Sequence, residues 1–327
     1  MTDATAAALI TGVGLALPGT TTAADLLHGA PGGEPVDPAA RIGPKGLRYA
    51  DRASQLALAA ARDALADAGL VAADAQRADA AGLTVDGTAV GVVASSNLGN
   101  LDTVCDTAGQ IAAQGTAVIS PMMLPNASSN VVASAIAQRF ALRGPNLMLC
   151  NGPTSGLDAV QWGAALIGAG RCAQVVVVGV ESGTEVAATL TGTPVAGLFD
   201  GAVALLLEDP AAAAARGAQA LARVGGYARE ADRADCVRQV TAGRPAPGVW
   251  FTEDPPGPRT DAGLEGTPRH ALTAAYGQSS GALGVLQCAA AIGWLASGAG
   301  SALVTTGDDT ADAVAAMILR PPEGDRS

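Results

Sequence analysis

The segment 143–159, RGPNLMLCNGPTSGLDA, reads as a strand, a sharp glycine turn and a helix. That order places whatever follows the turn at a helix N-terminus, where the helix dipole and unpaired N–H groups favour a thiolate or an oxyanion. The turn presents Pro153, which has no nucleophilic atom and suits the first position of a helix. Thr154 and Ser155 add two hydroxyls, but Gly152–Gly156 is not a Gly-x-Ser-x-Gly elbow, and a serine nucleophile needs a base beside it. Capping the helix is their expected role. Cys150 lies three residues before Pro153, on the strand, and reads as a core thiol.

Other chemistries fail on residue supply. His28 and His270 are the only histidines, they are far apart, and no Cys-x-x-Cys accompanies them, so no metal site is expected. Gly12-Val13-Gly14 follows a strand, but Leu17 takes the place of the third glycine of a dinucleotide fingerprint. The two glycines are expected to allow a tight turn, and no cofactor is expected. The five cysteines are scattered without paired spacing, which fits a reduced, cytoplasmic setting. The N-terminus carries Asp3 and no basic region, so no signal peptide is expected. Net charge is −11, Lys45 is the only lysine, and no basic run is present, which argues against nucleic-acid and membrane-surface partners. The apolar stretch 279–300 is interrupted by Gln287 and reads as a packed core helix.

The elements that must position these residues follow from the apolar pattern. With 327 residues, 49% hydrophobic but only 3% aromatic, and 42 glycines, the chain suits a tightly packed α/β protein. Its low charged fraction, 15%, points to surface buried in the fold or against a partner. Strands are expected at 8–16, 89–95, 146–150, 174–180 and 202–207, and helices at 51–69, 103–114, 130–140 and 154–168. After Pro210 the pattern partly restarts. A segment at 220–227 is followed by an irregular stretch at 243–267 containing a strand at 249–252. A helix from Ser279 and strands at 302–306 and 314–319 complete the chain. Such alternation predicts a mainly parallel sheet covered on both faces.

Several segments, in order, resemble the β-ketoacyl synthase family. ALITGVGLALPG resembles its opening strand and turn, and ISPMMLPNASSNVVASAIAQRFALRGP the approach to its catalytic elbow. TSGLDAVQWGAALIGAGRCAQVVVVGVES is similar to the helix and strand after it. FDGAVALLLED resembles a contracted end of the first half, ARGAQALARVGGYARE the strand entering the second, and YGQSSGALG the family's Thr-Gly-His-x-x-Gly-Ala-x-Gly. The resemblance implies an α/β, thiolase-like fold in which two pseudo-duplicated βαβ halves, 1–209 and 210–327, form one layered α-β-α-β-α unit.

In that family a Cys attacks the acyl thioester, and two His assist decarboxylation and stabilise charge on the thioester oxygen. By register, Pro153 takes the place of the Cys, Glu253 that of the first His and Gln278 that of the second, while TTGDDTADA stands where the family has Gly-Phe-Gly-Gly. Proline cannot become a thioester and glutamine cannot shuttle a proton near neutral pH, so this chain is not expected to condense acyl units alone.

The chain most resembles a chain-length-factor subunit, which pairs with an active ketosynthase and shapes its acyl tunnel in type II polyketide or specialised fatty-acid synthesis. The expected partners are a Cys-His-His ketosynthase, as a heterodimer, and an acidic acyl carrier protein that docks mainly on that partner. The family's tunnel-lining stretch corresponds to 97–110, where Leu98, Leu101, Val104 and Cys105 share helical spacing, and Met122 and Met123 would add an adaptable wall. These six residues read equally as ordinary interface or core. Two alternatives stay open: a thiolase-fold enzyme with another acyl-transfer or hydrolytic activity using Glu253, Gln278 or Ser155, and a purely structural stabiliser of a ketosynthase.

Overall fold

Runs such as Val175–Val178 have no polar face and are satisfied only by burial on both sides of a sheet. In a computed structural model, which describes residues 8–29, 33–75, 82–253, 263–298, 300–308 and 310–322, those runs form the central strands. The first half of the chain contributes β1 (Leu9–Ala16), α1 (Pro38–Ile42), α2 (Arg52–Asp67), β2 (Val90–Ser95), α3 (Leu101–Gln114), α4 (Val131–Arg139), β3 (Asn146–Leu149), α5 (Ser155–Gly168), β4 (Gln174–Glu181), α6 (Glu185–Thr191) and β5 (Gly201–Glu208). The second contributes α7 (Pro210–Ala215), β6 (Ala222–Glu230), α8 (Arg233–Thr241), β7 (Val249–Thr252), β8 (Arg269–Ala271), α9 (Thr273–Tyr276), α10 (Leu283–Leu295), β9 (Ala302–Thr306) and β10 (Val314–Arg320).

The strands lie in the order β3-β2-β4-β5-β1-β6-β10-β9-β7-β8. Read outward from the β1–β6 junction, the two halves repeat one scheme. In each, the first strand pairs antiparallel with the last, the last antiparallel with the fourth, the fourth parallel with the second, and the second parallel with the third. The junction is short, Leu9 opposite Arg223 and Ile10 opposite Ala222. The sheet is therefore mixed, not mainly parallel as the apolar runs predict. Burial on both faces makes a strand read as continuously apolar whichever way it runs, so the pattern carries no information on direction.

Helices cover both faces of each half. α2 and α4 pack on the outer face of the first half, α8 on that of the second, and α5 and α10 lie between the halves against each other. Three cores fill the spaces between these layers, the largest around α5 and α10. α10 begins at Leu283, four residues later than the sequence predicts, and is buried almost all round because it has sheet on both sides. Among the described residues no helix is long and apolar enough to cross a membrane.

Gly12 and Gly14 do not form a turn. They lie inside β1 against α2, where a Cβ would sit 2.4 Å from the Ala64 carbonyl oxygen and 2.0 Å from that of Ala60. Glycine is required there by close approach of helix to strand.

Candidate functional site

The ends of β2, β4, β7 and β9 converge with the start of α5 at one edge of the layers. β3 stops at Leu149, and Gly152 turns the chain with φ +76°, a conformation that favours glycine. A single 3-10 turn, Gly152–Thr154, carries Pro153 to the start of α5. Ser155 is fully buried. Its hydroxyl accepts the Asn151 N–H at 2.7 Å and lies 2.8 Å from the Gly152 carbonyl and 3.0 Å from Asn97 Oδ1. Thr154 donates to Asp158 Oδ2 at 2.8 Å. Neither hydroxyl caps α5: one locks the turn and the other anchors a buried carboxylate. A buried, fully engaged Ser155 is not placed for attack on a substrate.

Asn97 clamps this turn from the end of β2. Its Nδ2 donates to the Gly152 carbonyl at 2.8 Å and to Ser280 Oγ at 2.9 Å, and its Oδ1 accepts from Gly152 N–H at 3.2 Å. Glu181, at the end of β4, lies behind it and is 1% exposed. One carboxylate oxygen accepts from Asn97 N–H at 2.7 Å and Gly281 N–H at 3.0 Å; the other accepts from Ser96 Oγ at 2.8 Å and Leu98 N–H at 3.1 Å. Burial pushes this carboxyl above the ordinary range, against those four donors. Sequence reading passes over both residues. The available signal was a carboxylate closing the otherwise apolar strand QVVVVGVE.

Pro153, Glu253 and Gln278 are brought together on one cavity of about 360 Å³, shared with Asn97, Ser279 and Leu283. Glu253 follows β7, and its carboxylate accepts the Gly307 N–H at 3.1 Å, from the segment just after β9. Gln278 is held at both ends of its backbone by the 197–199 segment, and its side-chain oxygen accepts from Thr193 Oγ1 at 3.0 Å. Among the described residues lining this cavity there is no thiol and no imidazole. His28 is exposed elsewhere, and His270 lies on β8 with its ring 5.6 Å from that of Phe251.

Cys150 lies just past the end of β3 and is exposed, not a core thiol, because β3 is the last strand of the sheet and no strand among the described residues pairs with its outer edge. Partial burial and then the Glu181 carboxylate push its thiol up, which disfavours the thiolate. None of the six residues of the expected tunnel lines the cavity. Val104 is 40% exposed and Met122 67% exposed; Cys105 is exposed; Leu98, Leu101 and Met123 are half-buried. None is a core residue. Ile111, Val118 and Leu124 are exposed apolar side chains on α3 and the segment after it, as Val104 and Met122 are, and Thr103 is the buried residue of α3.

Residues 32–197, just over half of the chain, match the family described as beta-ketoacyl synthase, N-terminal domain. A relative from Streptomyces violaceoruber, granaticin polyketide putative beta-ketoacyl synthase 1, is 33% identical over 212 residues, covering 57% of this chain and 48% of its own. The chain thus spans about half the length of that relative. Among solved structures, the ishigamide ketosynthase/chain length factor superposes with a TM-score of 0.76 at 24% identity, covering 96% of this chain and 99% of the other. A chain from the complex of an apo type II polyketide acyl carrier protein with its ketosynthase bound to the hexaketide gives 0.77 at 14% identity, covering 97% of this chain and 99% of the other. At those identities the superpositions establish the thiolase-like fold.

Proposed function

The chain belongs to the β-ketoacyl synthase family, and from that premise we propose that it is a non-condensing subunit of the chain-length-factor type. It pairs with a Cys-His-His ketosynthase and walls part of that partner's acyl tunnel. The observation that carries this reading is the cavity shared by Pro153, Glu253 and Gln278. The family position for the nucleophile carries a residue that forms no thioester. The two imidazole positions carry an amide and a carboxylate already engaged by Gly307. The turn that would present a nucleophile is nonetheless built and clamped by Asn97. A retained scaffold without its reacting groups fits a partner role.

The exposed apolar side chains Val104, Ile111, Val118, Met122 and Leu124 support a partner-covered surface, since side chains of this kind grouped on a soluble protein mark an interaction site. α4 and α5 flank β3, and the segment carrying Val118, Met122 and Leu124 leads into α4, so this surface borders the open edge of β3. The two halves, 1–209 and 210–327, act as one unit in the cytoplasm. An acyl carrier protein, itself acidic, docks mainly on the partner because this chain carries −11.

The test is co-expression with the ketosynthase encoded beside it, followed by pull-down, native mass and a condensation assay. A stable one-to-one complex whose condensing activity needs both chains is expected. A homodimer that leaves the ketosynthase unaltered would overturn the reading.

A further inference from the structure

Outside the cavity, a polar cluster surrounds Asp158 on α5, whose side chain is 5% exposed. Asn151 Nδ2 donates to it at 2.7 Å and Thr154 Oγ1 at 2.8 Å, and the Tyr227 hydroxyl also donates to it. Arg229 approaches through Nε, 3.7 Å from Asp158 and 3.3 Å from Thr154 Oγ1. Its two terminal nitrogens make no hydrogen bond among the described residues, and its side chain is 45% exposed. Arg229 therefore stands braced at its elbow with its fork directed outward. It helps line a recess of about 480 Å³ together with Asn151, Gln161, Tyr227 and Trp162, the last 49% exposed.

A guanidinium fork, two amides and an indole wall on a recess this size match a carboxylate on a short apolar stem. The fork takes the two oxygens bidentately and the indole packs the stem. Asp158 also lines the recess and pairs with Arg229 only through Nε at 3.7 Å, which leaves the two terminal nitrogens for an incoming carboxylate. The recess adjoins the open edge of the sheet: Asn151 lies two residues past the end of β3, and α5 packs along β3.

We propose that the Arg229–Trp162 recess receives an acidic side chain, Asp or Glu, of the partner ketosynthase. This rests on the partner reading above and adds to it a charged anchor beside the apolar face. In a chain of net charge −11, an outward-facing cation on the partner surface is a specificity element, setting which acidic side chain is accepted and in what register.

The test uses the full chain and its neighbouring ketosynthase, with the pair affinity measured at several salt concentrations. Arg229→Met is expected to weaken pairing by about tenfold or more and to flatten its salt dependence. Arg229→Lys should fall between the two, since it keeps the charge but loses the fork. Gln161→Glu, which touches none of the bonds to Asp158, should also weaken pairing by putting a like charge in the recess. The part of the tryptophan emission lost in Trp162→Phe should shift to the blue when the ketosynthase is added. If the wild-type chain pairs but neither Arg229→Met nor Gln161→Glu changes the affinity, this inference fails and the partner reading stands. If those variants leave the pair intact and instead weaken carrier-protein binding, the occupant is misassigned and the inference fails. If the wild-type chain does not pair at all, both readings fall.

Discussion

Replacing Asn97 with alanine removes the group that joins the end of β2 to the 151–155 turn and to Ser280. Four hydrogen bonds are lost: two donated by Nδ2, to the Gly152 carbonyl and Ser280 Oγ, and two accepted by Oδ1, from Gly152 N–H and Ser155 Oγ. At about 1 kcal/mol net for each neutral bond the upper bound is about 4 kcal/mol. The residue borders the cavity, so water reaches part of the vacated space, and a loss of about 2–3 kcal/mol is expected. With a urea slope of about 3 kcal/mol/M, the unfolding midpoint falls by roughly 0.7–1 M. Asn97→Asp should be worse than alanine, because it sets a carboxylate against the Gly152 carbonyl, with the Glu181 carboxylate held on the backbone N–H of the same residue. Urea titration followed by circular dichroism gives both values. A change under about 0.5 kcal/mol for Asn97→Ala, or an aspartate milder than alanine, would refute the clamp.

Glu208 is fully buried, and Arg216 holds it bidentately at 2.7 and 2.6 Å, with Gln174 at 2.9 Å and Thr11 at 3.0 Å. Burial raises this carboxyl, but those donors outweigh it and leave it below its ordinary value of 4.5. The group stabilises the fold above that value and loses its contribution as pH falls through its lowered pKa. Arg216→Met should cost about 3–5 kcal/mol near neutral pH, with the deficit shrinking in acid, and a pH-independent deficit would contradict this. Gln287 is fully buried in α10 and neither amide atom has a protein partner among the described residues, so Gln287→Met should raise the unfolding midpoint by about 1–3 kcal/mol equivalent; an unchanged or lower midpoint would refute the reasoning. Pro153→Cys should yield a thiol that iodoacetamide alkylates, yet no condensation product from the isolated chain, because Gln278 and Glu253 do not replace two imidazoles. Product formation would overturn that assignment.

The positions of Pro153, Glu253 and Gln278 were legible in the sequence because a Gly-Pro landmark, a short apolar strand and a glycine-framed loop hold register over short distances. The strands themselves were legible for the same local reason: a residue string such as QVVVVGVE has one stable environment, burial on both faces. Strand direction was not, because antiparallel return of β5 onto β4 depends on how the 182–200 connection folds back. α8 was missed because its buried side is only Cys236, Val237 and Val240 among polar residues, so its apolar signal is weak, although Asp232 caps it on the Asp235 N–H.

What the sequence by itself determined was the order of elements and the residue types available near the 151–155 turn, since those depend on residue identity and near neighbours. Tertiary structure alone decided which distant residues share a space. Asn97, Glu181 and Ser280 meet because parallel strands end at one edge of the layers, bringing together positions some eighty and a hundred residues apart. The same geometry left Val104, Cys105 and Met122 outside the cavity and on the surface, since α3 has sheet on neither side and little of it packs against the core.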